Sequence, residues 1–438
     1  MEYLKFLRNE LTGMRFKAEL FDYLQYLYDT TGFNDHQLHC VIIFENKINA
    51  LAMEMAVRLL IKTVPILSRV YRNNNGSSYW EDINPLEWTD LFMIVDNEED
   101  FERFTFSKTN EEIGPQIKVC LLQSASDSLS IIMNHMVCDG AGIKQCAYLL
   151  ADIYSNILKN PEYVPGYIID GDRSFKKIIS GVRLTDRIKI LLFNNKDNNQ
   201  RNNYKFPMST EAKTSPFILR HEILPERYYE IRNFCKKHNV TVNDVILTAY
   251  FRVLSDMLNL NGKALSIPIM IDMRRYLTDK SFNAPANLSS TVIIRLGIRP
   301  GEDFCQTLAK VSSEMNVKKN NYLGLNTFLK LDAVFKIFKD NWGYKILKNS
   351  LKNPDICMTN IGVLDSTKLI FEGSPITNAF ICGSIKYRPH FQLAISSFND
   401  KMTFCVNLYG SRQDRENISK FLELMDSELK IVSKDGIC

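Results

Sequence analysis

Long apolar runs are missing from this sequence. No stretch of ~18 uncharged apolar residues occurs, so no transmembrane helix is expected. The first residues carry Glu2, Lys5, Arg8 and Glu10 among apolar ones, which argues against a signal-peptide core. Charge of one sign is also lacking. Lys+Arg is 54, Asp+Glu is 50 and the net charge is +4 over 438 residues. That balance gives no support to nucleic-acid binding, which usually shows as a basic stripe. The ten cysteines form no CxxC pair, and several sit in apolar runs, as Cys120 and Cys405 do. They read as reduced, packed thiols in a cytoplasmic protein. There is no G-x-S-x-G elbow, P-loop or G-x-G-x-x-G string. A serine acyl-enzyme, nucleotide hydrolysis and dinucleotide redox chemistry therefore have no sequence support.

What remains is a globular composition, 45% hydrophobic and 24% charged, long enough for two or three cores. Helical spacing of apolar residues predicts helices over 16–28, 50–62 and 142–158. Strands are expected over 40–44, 66–71, 116–123 and 128–136. Residues 73–78 read as a turn or loop, and 194–203 (NNKDNNQRNN), with no apolar residue, as an exposed loop. The alternation then resumes. Strands are expected from 217 and over 265–273, 290–296, 358–364, 391–397 and 402–408. Helices are expected over 225–237, 245–258, 303–319 and 415–432, with Thr241 as an N-cap. Both halves mix strands and helices. Expected boundaries are an N-terminal lobe 1–175, a linker 176–213 and a C-terminal lobe 214–438.

Histidine is scarce, six in all, and His135 stands out. It ends an apolar strand in which Leu129, Ile131 and Met133 share its face by period-two alternation. Asn134 then faces the other way. Asp139 and Gly140 follow at a turn, giving His-x-x-x-Asp-Gly ahead of a helix. An imidazole there suits removal of a proton from an alcohol or amine. A packed core histidine before an Asp-Gly turn fits the same pattern. Asp139 reads as half of a buried ion pair, and Gly140 as admitting a backbone conformation closed to other residues. His36-Gln37-Leu38-His39-Cys40 has irregular ligand spacing and reads as a strand entry, not a metal site. Cys138 reads as packing, not as a nucleophile.

His135-x-x-x-Asp139-Gly140 between strand and helix resembles the motif of chloramphenicol acetyltransferase-like acyltransferases. The closest look is to free-standing relatives of nonribosomal peptide synthetase condensation domains and to alcohol acetyltransferases. Pro65-Ile66-Leu67-Ser68-Arg69, Thr241-Val242-Asn243-Asp244, Asp272-Met273-Arg274 and Thr359-Asn360-Ile361-Gly362 are similar to that superfamily's other signatures, in order along nearly the whole chain. The resemblance implies an α/β (α+β) fold of two lobes, each a mixed sheet with flanking helices, and a tunnel between them. It implies acyl transfer to a hydroxyl or amine with His135 as general base and Asp139 and Gly140 as structural residues. Arg274 is the expected partner of Asp139, with Arg275 second. Asn134, Asn360 and Gly362 are candidate tunnel or oxyanion residues. No cofactor is expected to be held permanently. Acyl-CoA or acyl-phosphopantetheine would be co-substrate. The partners implied are a small-molecule acceptor, a thioester donor or an acyl or peptidyl carrier protein in trans.

Many condensation domains carry a second His before the motif His. Here Asn134 stands there, which leaves open a catalytically silent binding or scaffold protein. A trans-acting, amide-forming enzyme with a carrier-protein donor is the other alternative.

Overall fold

A computed structural model of the chain describes residues 14–430 apart from 74–77, 84–89, 193–203, 278, 280, 282, 338–340 and 352. The loops expected over 194–203 and, in its central part, over 73–78 lie outside the described residues. A five-stranded sheet lies in one lobe, in the order Ile376–Cys382, Gln37–Phe44, Ser128–Asn134, Ile117–Leu122, Phe92–Val95. The motif strand Ser128–Asn134 is central and antiparallel to both neighbours. A central strand is covered on both faces, which is why its sequence is apolar at nearly every position. Leu129, Ile131 and Met133 enter the core beneath helices Ala50–Thr63 and Gly140–Lys159, and Ile132 enters a cluster on the opposite face.

The other lobe holds a seven-stranded sheet. Ser289–Gly297, Ala264–Asp272, Ile356–Val363, Phe391–Phe398 and Lys401–Gly410 follow in order, ending on Lys386–Tyr387, with Ser215–Ile223 also paired to Lys401–Gly410. Its core lies against helices Val242–Met257, Phe304–Asn320 and Arg412–Lys430. Thr241 caps the first of these in a reciprocal capping box with Asp244. The architecture is therefore mixed α/β in two lobes.

The lobes are stitched in two places. One apolar cluster joins Phe21 and Leu27 of helix Leu20–Thr30 to Phe175, Met273, Ala286 and Phe328. A second joins Val41 and Ile132 of one sheet to Ala394 and Cys405 of the other. Fully burying one such side chain stabilises by ~1.5–3 kcal/mol, so many together hold the lobes in a set relation.

The chain departs from expectation in four places. Arg15–Lys17 is a strand paired with Tyr79–Glu81, and the helix begins only at Leu20. Pro65 starts a 3₁₀ turn, Pro65–Leu67, so the strand there is only Val70–Arg72. Ile376–Cys382 crosses back to pair with Gln37–Phe44, and Leu364, Leu369 and Phe371 join the N-terminal core. Residues 364–382, expected in the C-terminal lobe, thus pack on the other sheet, because an unpaired edge strand there gains hydrogen bonds by doing so. Finally, eight cysteines are free and buried, but Cys305 is disulfide-bonded. It stands half-buried at the start of its helix, where a sulfur can be reached, unlike the thiols enclosed in apolar cores.

Candidate active site

Strand Ser128–Asn134 ends one residue before His135, whose amide donates to the carbonyl of His36 at 2.7 Å. The following turn delivers Asp139 as N-cap of helix Gly140–Lys159. Its Oδ1 accepts from the amide of Gly142 at 3.1 Å. The same carboxylate faces the other lobe. Oδ2 accepts from Arg274 Nη1 and the Leu288 amide, both at 2.9 Å, and from Ser289 Oγ at 3.0 Å. Burial alone would raise its pKa, but Arg274 and these donors hold it below the usual carboxylate value. Asp139 makes no hydrogen bond to the His135 ring. Arg274, not Arg275, is its partner. Arg274 also binds Asp272 at 3.1 Å and the Ala286 carbonyl at 2.9 Å, while Arg275 lies over the Tyr276 ring.

Gly140 has a different reason from the one expected. Its φ is not positive. A Cβ there would lie 3.2 Å from Ile361 Cγ1, so close approach between lobes is what favours glycine. Gly142 is tighter, since its Cβ would fall 2.5 Å from Cys138 Cβ.

His135 is held by a residue that the sequence did not disclose. Asn287 Nδ2 donates to the carbonyls of His135 at 2.8 Å and Met136 at 2.9 Å. Its Oδ1 is therefore the atom left to accept from His135 Nδ1, 3.2 Å away. That assigns the ring proton to Nδ1 and leaves the lone pair on Nε2. Burial is the largest influence on the ring and pushes its pKa down to about 4, so the imidazole is neutral at physiological pH. Arg173 supports the same turn. It donates to the carbonyls of Met136 and Val137 at 3.2 and 3.1 Å and grips buried Asp22 with two bonds of 2.8 and 2.9 Å. Nothing in the polar segment around Arg173 signalled that role. Cys138 is buried, its thiol raised well above its usual pKa first of all by burial, as packing requires.

A cavity of about 490 Å³ lies where the lobes meet. His135, Asp139 and Gly140 border it from one lobe, and Asn287, Ser289, Thr359 and Ile361 from the other. Phe21, Leu24, Leu331 and Leu347 make part of its wall apolar. The three expected tunnel or oxyanion residues, and Arg274, do not border it. Asn134 is fully buried and turns its Oδ1 to the Met136 amide at 2.9 Å. Asn360 lies 3.4 Å from Asn243 through its Nδ2, and its Oδ1 accepts from Gly362. Strand alternation places Thr359 and Ile361 on the cavity side instead. Among the described residues no cluster of His, Cys, Asp and Glu could hold a metal ion, and no helix is long and apolar enough to cross a membrane. His36 binds Glu111 at 3.2 Å.

Residues 286–432 match the family described as the WS/DGAT C-terminal domain. Solved structures similar to this chain share its fold over nearly its whole length. Trichothecene 15-O-acetyltransferase from Fusarium sporotrichioides is 12% identical, with a TM-score of 0.71 over 96% of this chain and 95% of that one. The first condensation domain of the calcium-dependent antibiotic synthetase, in complex with a substrate analogue, is 14% identical, with a TM-score of 0.70 over 97% and 100%. Polyketide synthase associated protein 5 from Mycobacterium tuberculosis is 12% identical, with a TM-score of 0.69 over 97% and 99%. No curated protein sequence matches this chain. The fold is thus the two-lobed fold of condensation domains and chloramphenicol acetyltransferase-like, CoA-dependent acyltransferases.

Proposed function

We propose that the chain is an acyltransferase that moves an acyl group directly from a thioester, on CoA or a carrier protein, to a hydroxyl or amine. The observation that carries this reading is the orientation of His135, with Nδ1 held by Asn287 and the ring on the inter-lobe cavity. His135 Nε2 takes the proton of the acceptor as its oxygen or nitrogen attacks the thioester carbonyl carbon. The tetrahedral intermediate then collapses. The carbon–sulfur bond breaks, and the leaving thiolate recovers the proton from the imidazolium. A neutral imidazole is ready for the first step without prior loss of a proton. General-base help of this kind is worth ~10²–10⁴ in rate, and holding both substrates together supplies much of the rest.

Asp139 keeps a structural role here, because its oxygens are taken up by Arg274, Leu288, Ser289 and Gly142. The cavity beside His135 favours turnover over a silent scaffold, since a scaffold needs no space at that ring. The test is to incubate the protein with acyl-CoAs of graded length, and separately with an acyl-loaded carrier protein, in the presence of alcohols and amines. Thiol release that needs both acceptor and His135 is expected. Release that persists in His135→Ala would sink the mechanism.

A further inference from the structure

Lys386 stands in the wall of the same cavity and has no place in the acyl-transfer chemistry described above. It is only 3% exposed. Its ammonium lies 4.0 Å from the centroid of the Phe33 ring, another cavity residue. Among the described residues it makes no ion pair and no side-chain hydrogen bond. Two other lysines near this region are engaged. Lys108 binds Asp29 at 3.3 Å and the Tyr387 hydroxyl at 2.9 Å. Lys144 donates to the carbonyls of Ile361 at 3.2 Å and Val363 at 3.1 Å.

Acids nearby do not neutralise it. Asp35 attracts Lys386 from beyond ion-pair distance, and its Oδ1 is taken by the amides of Gln37 at 3.2 Å and Ile385 at 2.9 Å. Asp35 is also attracted by Lys108, so its charge is shared between two lysines. Asp139 is committed to Arg274, and Asp355, which also borders the cavity, forms no ion pair with Lys386.

A buried ammonium without a counter-charge is costly, because it gives up hydration and gains little in return. A face-on aromatic ring offsets only part of that, about 0.5–2 kcal/mol. Burial accordingly pulls the Lys386 pKa down to about 8, yet the ammonium form still dominates at neutral pH. A carboxylate delivered by a ligand would supply the missing charge in a water-poor setting, where such a bond is strong. The apolar wall of Phe21, Leu24, Leu331 and Leu347 suits the rest of such a molecule.

We infer that the cavity takes a substrate with an apolar body and a carboxylate, and that Lys386 recognises the carboxylate. The inference deepens the proposed function, resting on the cavity being where a substrate binds. Its test reads binding alone, so its outcome does not depend on whether acyl transfer is observed. Octanoate, n-octanol and octylamine share one chain and differ in head-group charge. Isothermal titration of the full chain at pH 7 should show octanoate binding about 10-fold or more tighter than octanol, with octylamine weakest. In Lys386→Met, which keeps the length of the side chain and removes its charge, octanoate and octanol should bind alike. Lys386→Arg should keep the preference. Equal binding of octanoate and octanol to the unmodified protein, or a preference that survives in Lys386→Met, would overturn the inference. The unmodified protein alone decides the first of these, even if a variant folds poorly.

Discussion

Arg274 Nη1 lies 2.9 Å from Asp139 Oδ2, and this ion pair ties the end of strand Ala264–Asp272 in one lobe to the His135 motif of the other. The carboxylate is 3% exposed and the Arg274 side chain 24%, so the link between lobes is buried on its Asp139 side. It sets the position of the turn that carries His135, because His135 and Asp139 are separated by only three residues. Asp139→Ala should strip the acceptor from the Leu288 and Gly142 amides and leave Arg274 with only Asp272 as acidic partner. A loss of about 3–5 kcal/mol is expected, read as a lower midpoint in urea unfolding. An unchanged midpoint would show that the pair is not structural.

His135→Ala should behave in the opposite manner. The ring is half-buried and opens on the cavity, so its removal should leave the unfolding midpoint nearly in place. Acyl transfer should fall by ~10²–10⁴. Circular dichroism and a thiol-release assay on the same preparation separate the two effects.

The pH profile of kcat/KM should be flat from about pH 7 down to about pH 5, dropping on the acid side only as His135 is protonated near 4. An ordinary imidazole would instead give a midpoint near ~6.5. The same shift has a stability sign. The folded pKa lies below the unfolded one, so the unfolded chain takes up the proton first. The contribution of His135 to stability is thus complete above the unfolded value and is lost as pH falls from about 6.5 towards 4. A rate midpoint near 6.5 would mean that the ring is not desolvated as described.

Asn287→Ala removes the acceptor for His135 Nδ1 and two donors to the turn carbonyls. Asn287 is a positioning residue, so kcat should fall by about 10-fold with KM less affected. The bond to Asn287 raises the His135 pKa, so its loss should move the acid limb of the rate profile to lower pH. A purely structural role would leave that limb where it was.

Gly142→Ala should destabilise by ~1–3 kcal/mol, since a new Cβ would meet Cys138 Cβ at 2.5 Å in a packed core. Gly140→Ala should cost less, because Ile361 at 3.2 Å can shift by a few tenths of an ångström. Thermal melts of both variants rank them, and the reverse order would contradict the packing described here.

Much of this was legible in the sequence. Local spacing set most helices and strands close to their observed ends, as with Gly140–Lys159 and Arg412–Lys430. Period-two alternation placed Leu129, Ile131 and Met133 on one face, and scarcity drew attention to His135. Less legible were features made by contacts between distant segments. Strand Ile376–Cys382 finds its partner more than 330 residues earlier in the chain. Asn287, Arg173 and Lys386 look like ordinary polar residues until folding brings them to the motif turn or the cavity. Asn360 illustrates the reverse. It sits in a recognisable Thr-Asn-Ile-Gly signature within strand Ile356–Val363, but alternation directs Thr359 and Ile361 at the cavity.

The sequence by itself determined many of the secondary elements, the mixed α/β class and the residues at the motif, because these follow from short-range periodicity and capping. Only the tertiary structure decided which nitrogen of His135 is free, which arginine meets Asp139, and which lysine is left without a counter-charge. Those outcomes depend on distances between residues far apart in the chain, and on how much water the packed lobes leave around each charge.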